Sequence, residues 1–367
     1  MIAFGWRQFR GQALVGAAGL VVIGVVLAIT GPHLVSVYDS AVAACRESGG
    51  QSAVCNTNPV TITYRGLQYG VIALVLVVPA LIGMFWGAPL IAHELETGTF
   101  RLAWTQSVSR TRWLLVKVGL VGLASFLAAG LLSLMANWWA SPLDAASPDR
   151  FGAGNFAVHG FVAGGYALFA FALGVTAGLI LRRTLPAMAV TLGGFIAARF
   201  VVTDWVRAHY MSPVSFTQKL SATNTGFQLN GPIGSHATAS VTAQAPGLPN
   251  AWVYGANIVN EAGQSPTTAV MQQACPNLGA GAPPPDLFKK GGAEALGSHS
   301  TAARATGGIQ DAFTHCINTL SANYHAVVTY QPANRFWTFQ AIETALFVVL
   351  GLMLAGVCTW WVRHRIT

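Results

Sequence analysis

Residues 93–97 are the part of this chain that comes closest to a catalytic motif. They read HELET and begin like the metalloprotease helix HExxH, in which two histidines bind one zinc ion. Thr97 occupies the position of the second histidine, so two ligands cannot converge on a metal. The sequence also contains no GxSxG elbow and no glycine-rich loop ending in Gly-Lys. We therefore predict that the chain is not an enzyme and has no metal site; any uphill work must be powered by another protein.

Two charged residues, Arg199 and Glu343, fall well inside long apolar runs. An unpaired charge at the centre of a membrane costs about 2.5–3.5 kcal/mol on the insertion scale, so such residues usually pair or line a polar cavity. We predict an ion pair between Arg199 and Glu343. In one alternative Arg199 faces a transport cavity and binds an anionic group. In the other, its side chain extends to the membrane surface.

The amino-acid composition indicates the environment in which these two charges lie. Of the 367 residues, 53% are hydrophobic and 9% are charged, whereas soluble domains have about 25% charged residues. The net charge is +8, but the basic residues flank apolar runs and form no dense stripe with interleaved aromatics. The sequence therefore predicts a protein of the lipid bilayer that does not bind nucleic acid.

Six apolar segments are long enough to cross the membrane, since a helix needs about 20 residues to cross about 30 Å of hydrocarbon. Arginine and lysine lie near alternate ends, which orients the spans. This pattern predicts a multi-pass protein of a bacterial cell membrane, with both termini and residues 93–113 cytoplasmic and residues 37–66 and 205–336 outside. The predicted spans are 14–36, 67–92, 114–138, 157–181, 185–204 and 337–361, preceded by a cytoplasmic amphipathic helix at 1–13 and ending in a cytoplasmic tail within 337–367.

The segment 205–336 is too long and too varied in composition for a linker. Alternating residues at 237–243 and 325–330 predict strands, and residues 308–320 have apolar residues at helical spacing. The fold class we expect is an all-α polytopic membrane protein with six transmembrane helices. A small mixed α/β extracytoplasmic domain is inserted between spans five and six.

Four of the five cysteines lie in predicted outer segments, where an oxidising exterior favours disulfides. Four cysteines allow three connectivities. Proximity in the sequence favours Cys45–Cys55 and Cys275–Cys316, which leaves Cys358 free in the last span. A zinc site is the alternative, but no paired CxxC or HxxxH spacing supports it.

The cytoplasmic segment 93–113 has an apolar surface suited to a partner. Residues 99–106 predict a short helix, with Phe100, Ala103 and Trp104 on one face. The segment resembles the coupling segment of ATP-binding-cassette exporter permeases of the type-2 membrane-subunit family. The residues that match that pattern are Glu94, Glu96, Gly98, Thr99, Leu102, Ser109, Arg110 and Lys117. Residues 6–10, WRQFR, resemble the amphipathic entry helix of the family, and residues 330–337 with Glu343 are similar to actinobacterial members.

The resemblance implies a permease subunit that exports an amphipathic small molecule, such as a drug, an antibiotic or a lipid-like compound, by alternating access. It implies two copies of a cytoplasmic ATPase subunit, which hold ATP and magnesium, and a second permease copy or a related permease. The chain itself needs no cofactor. Spans two and five line the cavity in that family, so the candidate cargo contacts are Phe85, Trp86, Phe195, Arg199 and Phe200. The alternative function is a membrane-anchored binding or sensory protein that acts through its outer domain.

Overall fold

The computed structural model describes residues 2–47, 58–98, 110–146, 149–221, 224–230, 238–243, 248, 250–275 and 313–364. Within these residues, six helical segments are long and apolar enough to cross a membrane, with mean hydropathy from 1.8 to 2.6 over their best windows. The six-span prediction is confirmed. The chain divides into a membrane unit, Met1–Ser212 with Asn334–Thr367, and a second unit, Pro213–Ala333.

The membrane unit is built from long helices, with short turns of other helical types in spans two and five. The second span consists of α2 (Asn58–Ile82), a π-helical turn Gly83–Gly87 and α3 (Ala88–Thr97) in succession. The fifth is α7 (Thr184–Val201) followed by a π-helical turn Val202–Val206 and a 3₁₀ turn Arg207–His209. The helices are α1 (Ile2–Glu47), α2 (Asn58–Ile82), α3 (Ala88–Thr97), α4 (Arg110–Ala146), α5 (Asn155–Val158), α6 (Val162–Leu181), α7 (Thr184–Val201) and, after the second unit, α10 (Phe336–His364).

Several predicted boundaries are wrong, because the helices continue past the apolar runs. α1 is one helix of 46 residues, about 69 Å at 1.5 Å per residue, so the separate helix 1–13 and the loop start at 37 are corrected. Residues 37–47 contain no Gly or Pro and are rich in Ala, which lets the helix continue. Likewise, 93–97 belong to α3 rather than to a loop, and the fifth span extends to His209.

α6 is the central helix of the membrane unit. In its best window 78% of the residues are buried, against 6–44% for the other spans. It approaches the second span closely enough for backbones to touch. A Cβ added to Gly174 would lie 2.3 Å from the Gly83 carbonyl oxygen, and one added to Gly178 would lie 2.5 Å from that of Ala88. The Gly174/Gly178 spacing is therefore required by packing.

The second unit contains the strands β1 (Val214–Lys219), β2 (Thr225–Asn230), β3 (Thr238–Ala243), β4 (Trp252–Val259) and β5 (His325–Gln331). β5 is the central strand of an antiparallel sheet β1–β5–β4, and β2 pairs with β3 in a separate antiparallel ribbon. Two helices accompany them, α8 (Thr268–Ala274) and α9 (313–320). This arrangement confirms a small mixed unit between spans five and six.

The core of the second unit joins its helices to its sheet. Ile317 and Leu320 of α9 are buried with Ile258 of β4 and Ala326 of β5. A disulfide joins Cys275, directly after α8, to Cys316 in α9. Cys358 is a buried free thiol. The predicted Cys45–Cys55 bridge lies outside the described residues.

Candidate functional site

The two helices that flank the predicted coupling segment are joined by an ion pair. The Lys117 ammonium of α4 donates to the Glu94 carboxylate of α3, and the two side chains are 6% and 15% exposed. Lys117 also lies 4.7 Å from the centre of the Trp113 ring, within the range of a cation–π contact. The structure thus brings together Glu94 and Lys117, which begin and end the family pattern.

Glu96 connects the same end of α3 to the start of α7. Its carboxylate accepts hydrogen bonds from the Thr184 backbone N–H at 2.8 Å and from the Thr184 hydroxyl at 2.6 Å. The first N–H groups of a helix have no partner within the helix, and a carboxylate there also interacts favourably with the helix dipole. Glu96 therefore acts as a cap supplied by another helix. A displacement of α3 would act on the first turn of the fifth span.

Gly98 ends α3 in the left-handed region at φ +70°. This is the usual C-terminal position for glycine, because other residues are strained there. The Thr97 hydroxyl donates to the His93 carbonyl at 2.8 Å. Within the described residues, no three His, Cys, Asp or Glu side chains are grouped so that they could hold a metal ion.

α1 and α10 also reach this end of the bundle. Phe9 and Gln12 of α1 line a pocket of about 470 Å³ together with residues of α3 and α4, including His93, Glu94 and Lys117. The Arg363 guanidinium of α10 donates to the Thr111 hydroxyl of α4 at 3.3 Å. The segment 99–109 is thus flanked by helices that contact α1, α7 and α10.

The predicted docking surface and most of the other residues of the coupling segment are outside the described residues. These positions are Thr99, Phe100, Leu102, Ala103, Trp104 and Ser109. Arg110 is the first residue of α4, and its side chain is not described either. Their contact with a partner stays a prediction.

A second site is centred on Glu343 of α10, whose side chain is fully buried. The Arg207 guanidinium binds it through two hydrogen bonds of 2.8 Å, from Nε to Oε2 and from Nη2 to Oε1. Arg199 Nη1 lies 3.3 Å from Oε1. The structure therefore places Arg199 beside Glu343, but the closer partner of the carboxylate is Arg207.

Two tyrosines complete the group around Glu343. The Tyr166 hydroxyl donates to Oε1, and the Tyr210 hydroxyl donates to Oε2 at 3.4 Å. The Arg199 guanidinium lies 3.9 Å from the centre of the Tyr166 ring. A buried carboxylate is tolerated when opposite charges and hydrogen bonds satisfy its lone pairs, and Glu343 meets both conditions. We call Tyr166, Arg199, Arg207, Tyr210 and Glu343 the ion cluster.

Arg207 was missed because the predicted fifth span ended at residue 204, which assigned it to the outer domain. The π-helical and 3₁₀ turns extend the span to His209 and keep Arg207 in the bundle. A signal was present in the sequence. Arg199 and Arg207 are eight residues apart, close to two helical turns, so they share a face if the helix continues.

The other four predicted cargo contacts are not part of the ion cluster. Phe85 and Phe200 are exposed, at 51% and 65%. Phe195 is buried, and Trp86 packs edge-on against Phe9 with ring centres 5.0 Å apart. Their role in cargo binding stays a prediction.

Six apolar helices define an integral membrane protein. A comparison with protein families matches residues 17–207 to the family described as ABC-2 membrane transporter related. The match spans 191 of 367 residues (207 − 17 + 1), and the chain belongs to this family. It is thus the permease type of ATP-binding-cassette transporter subunit. No curated protein and no solved structure matches the chain.

Proposed function

We propose that the chain is the permease subunit of an exporter that moves an amphipathic small molecule, drug-, antibiotic- or lipid-like, out of the cell by alternating access. Two copies of a separate ATPase subunit, binding ATP and magnesium, supply the energy. A second permease copy or a related permease completes the pathway. The chain itself catalyses no reaction.

The observation that carries this proposal is the connection of α3 to the rest of the bundle. Glu94 binds Lys117 of α4, and Glu96 binds Thr184 at the start of α7. α7 and its continuation bear Arg199 and Arg207 of the ion cluster. A force applied to the segment 99–109 by an ATPase therefore has a direct route to the span that holds the charged centre of the bundle.

The proposed orientation places both termini and the segment 99–109 in the bacterial cytoplasm and the second unit outside the cell. The Cys275–Cys316 disulfide supports this orientation, because disulfides persist in oxidising compartments and are rare in the cytosol. The arginines near the ends of the spans support it as well.

The experiment that tests the coupling role is a substitution in the segment. Trp104→Asp should place a charge in the contact with the ATPase, which is strongly unfavourable without a partner charge. We expect the variant to insert in the membrane and fold. It should lose co-purification with its partner ATPase subunit, or lose cargo-stimulated ATP turnover.

Glu261→Lys is the control, since it changes the charge of an exposed turn in the second unit. It should leave association and turnover unchanged. Full association and turnover in Trp104→Asp would show that the segment does not couple the two subunits.

A further inference from the structure

The ion cluster contains more positive than negative charge. Two guanidinium groups, Arg199 and Arg207, face the single carboxylate of Glu343. Arginine stays protonated in proteins. Within the described residues, neither arginine has another carboxylate within ion-pair distance. With Glu343 ionised, the cluster has a net charge of +1, from two positive groups and one negative group.

The positive charge that Glu343 does not neutralise is that of Arg199, because Arg207 is the closer partner of the carboxylate. Arg207 makes both of its 2.8 Å bonds to Glu343, and its side chain is 2% exposed. Arg199 donates a single, longer hydrogen bond in the described part of the chain, and its side chain is 13% exposed. A guanidinium has five N–H donors, so most donors of Arg199 are available at the accessible edge of the cluster.

This edge lies within a membrane span. Arg199 is ten residues before the end of the segment Thr184–His209, about 15 Å along a helix. In hydrocarbon no water satisfies a donor, and each unsatisfied group costs several kcal/mol. The exposed side chains of Ile196 and Phe200, on the same helix, provide an apolar surface beside it. A partner with an anionic group and an apolar tail matches both features.

We propose that Arg199 binds the anionic head group of an amphiphile, a phosphate or a carboxylate attached to an acyl or alkyl chain. This binding specifies the cargo class of the exporter proposed above. Its role in transport rests on that proposed function. Glu343 and Tyr166 hold the guanidinium in place, with the Tyr166 ring against one face. The free N–H edge then receives the anion, and the tail lies along Ile196 and Phe200.

The test measures binding to the purified chain without the ATPase. The probe is dodecyl phosphate, titrated into protein in dodecyl maltoside and followed by native mass spectrometry. We expect saturable one-to-one binding. Dodecanol, which has the same chain without the charge, should not bind saturably, and inorganic phosphate should bind at least about tenfold more weakly. Equal binding of inorganic phosphate would overturn the amphiphile assignment.

Arg199→Gln tests the residue. It should weaken dodecyl phosphate binding about tenfold or more, the usual effect of losing a hydrogen bond to a charged group. It should not lower the thermal unfolding temperature without ligand, because Arg207 keeps both bonds to Glu343. Arg150→Gln, on an exposed arginine, is the matched control and should bind normally.

Two results would overturn the proposal. One is unchanged binding in Arg199→Gln. The other is weaker binding accompanied by a lower unfolding temperature without ligand, which would make Arg199 a structural partner of Glu343. Since the ATPase is absent from the assay, failure of the coupling experiment and failure of this one are distinguishable.

Discussion

Glu343 shows how one buried carboxylate fixes the arrangement of three spans. Removing a carboxylate from water costs several kcal/mol, and attraction to a partner repays it only with good geometry. Arg207 donates two hydrogen bonds to the Glu343 carboxylate, and the hydroxyl groups of Tyr166 and Tyr210 donate two more. α6, α10 and the extension of α7 are thereby joined at one point.

Arg207→Ala should destabilise the membrane unit severely. The substitution removes the two short bonds and leaves Glu343 buried with Arg199 as the remaining cation. Breaking a buried ion pair in this way costs about 3–5 kcal/mol. The measurement is the thermal unfolding temperature of the protein in detergent, followed by circular dichroism.

Arg150→Ala is the control for loss of a positive charge, because Arg150 is exposed. Adding Glu343→Gln to Arg207→Ala should recover part of the lost stability, since it removes the buried carboxylate that has lost its two short hydrogen bonds. An Arg207→Ala variant as stable as the Arg150→Ala variant would contradict the assigned role of Arg207.

The helices could be predicted better than their ends. Long apolar runs identify spans because lipid requires them, and all six predicted spans are present. The ends depend on capping and on helix propensity outside the bilayer, which hydropathy does not report. This explains why α1 extends to Glu47 and why span five extends to Arg207 and beyond. The same error removed Arg207 from the predicted ion pair.

The contact between α3 and α7 can be tested by a substitution at Glu96. Glu96→Ala removes the acceptor for the Thr184 N–H and hydroxyl. Loss of a helix cap costs about 0.5–2 kcal/mol, so the protein should stay folded while the first turn of α7 opens more often. Amide hydrogen exchange at Thr184, Leu185 and Ala187 should become faster.

Glu47→Ala, at the exposed end of α1, is the control and should leave exchange in α7 unchanged. Turnover with the ATPase should fall in Glu96→Ala alone. Unchanged exchange in α7 would mean that Glu96 does not hold the first turn of this span.

In the whole molecule, the family match lies within the membrane unit. The family match covers residues 17–207, so it includes most of the first five spans and both arginines of the ion cluster but not the second unit or Glu343. Sequence patterns predicted strands at 237–243 and 325–330, and the structure has them at Thr238–Ala243 and His325–Gln331. They could not predict that β5 pairs with both β1 and β4, because such pairing depends on distant residues.

The proposed orientation can be tested by labelling in intact cells. In a background with Cys45→Ser and Cys55→Ser, a membrane-impermeant maleimide should modify Ala322→Cys, in an exposed turn of the second unit. It should spare Gln106→Cys in the coupling segment. The distribution of the arginines and the Cys275–Cys316 disulfide both predict this labelling pattern.

The Cys45→Ser, Cys55→Ser background without an added cysteine is the control and should not be labelled, since Cys275 and Cys316 are bonded and Cys358 is buried. Permeabilised cells should show labelling of Gln106→Cys as well. If Gln106→Cys is labelled in intact cells and Ala322→Cys is not, the topology is the reverse of the proposed one. The coupling segment would then lie outside the cell and could not contact a cytoplasmic ATPase.

The glycine contacts between α6 and the second span have a mechanical consequence. Gly83, Gly174 and Gly178 meet their neighbours through backbone atoms. Side chains at an ordinary interface can change rotamer and absorb a small displacement, but a backbone contact has no such freedom. A shift of α3 by even a fraction of an ångström must then be followed by α6. This part of the membrane unit therefore responds to load as one stiff body, and deformation is confined to contacts made by longer side chains.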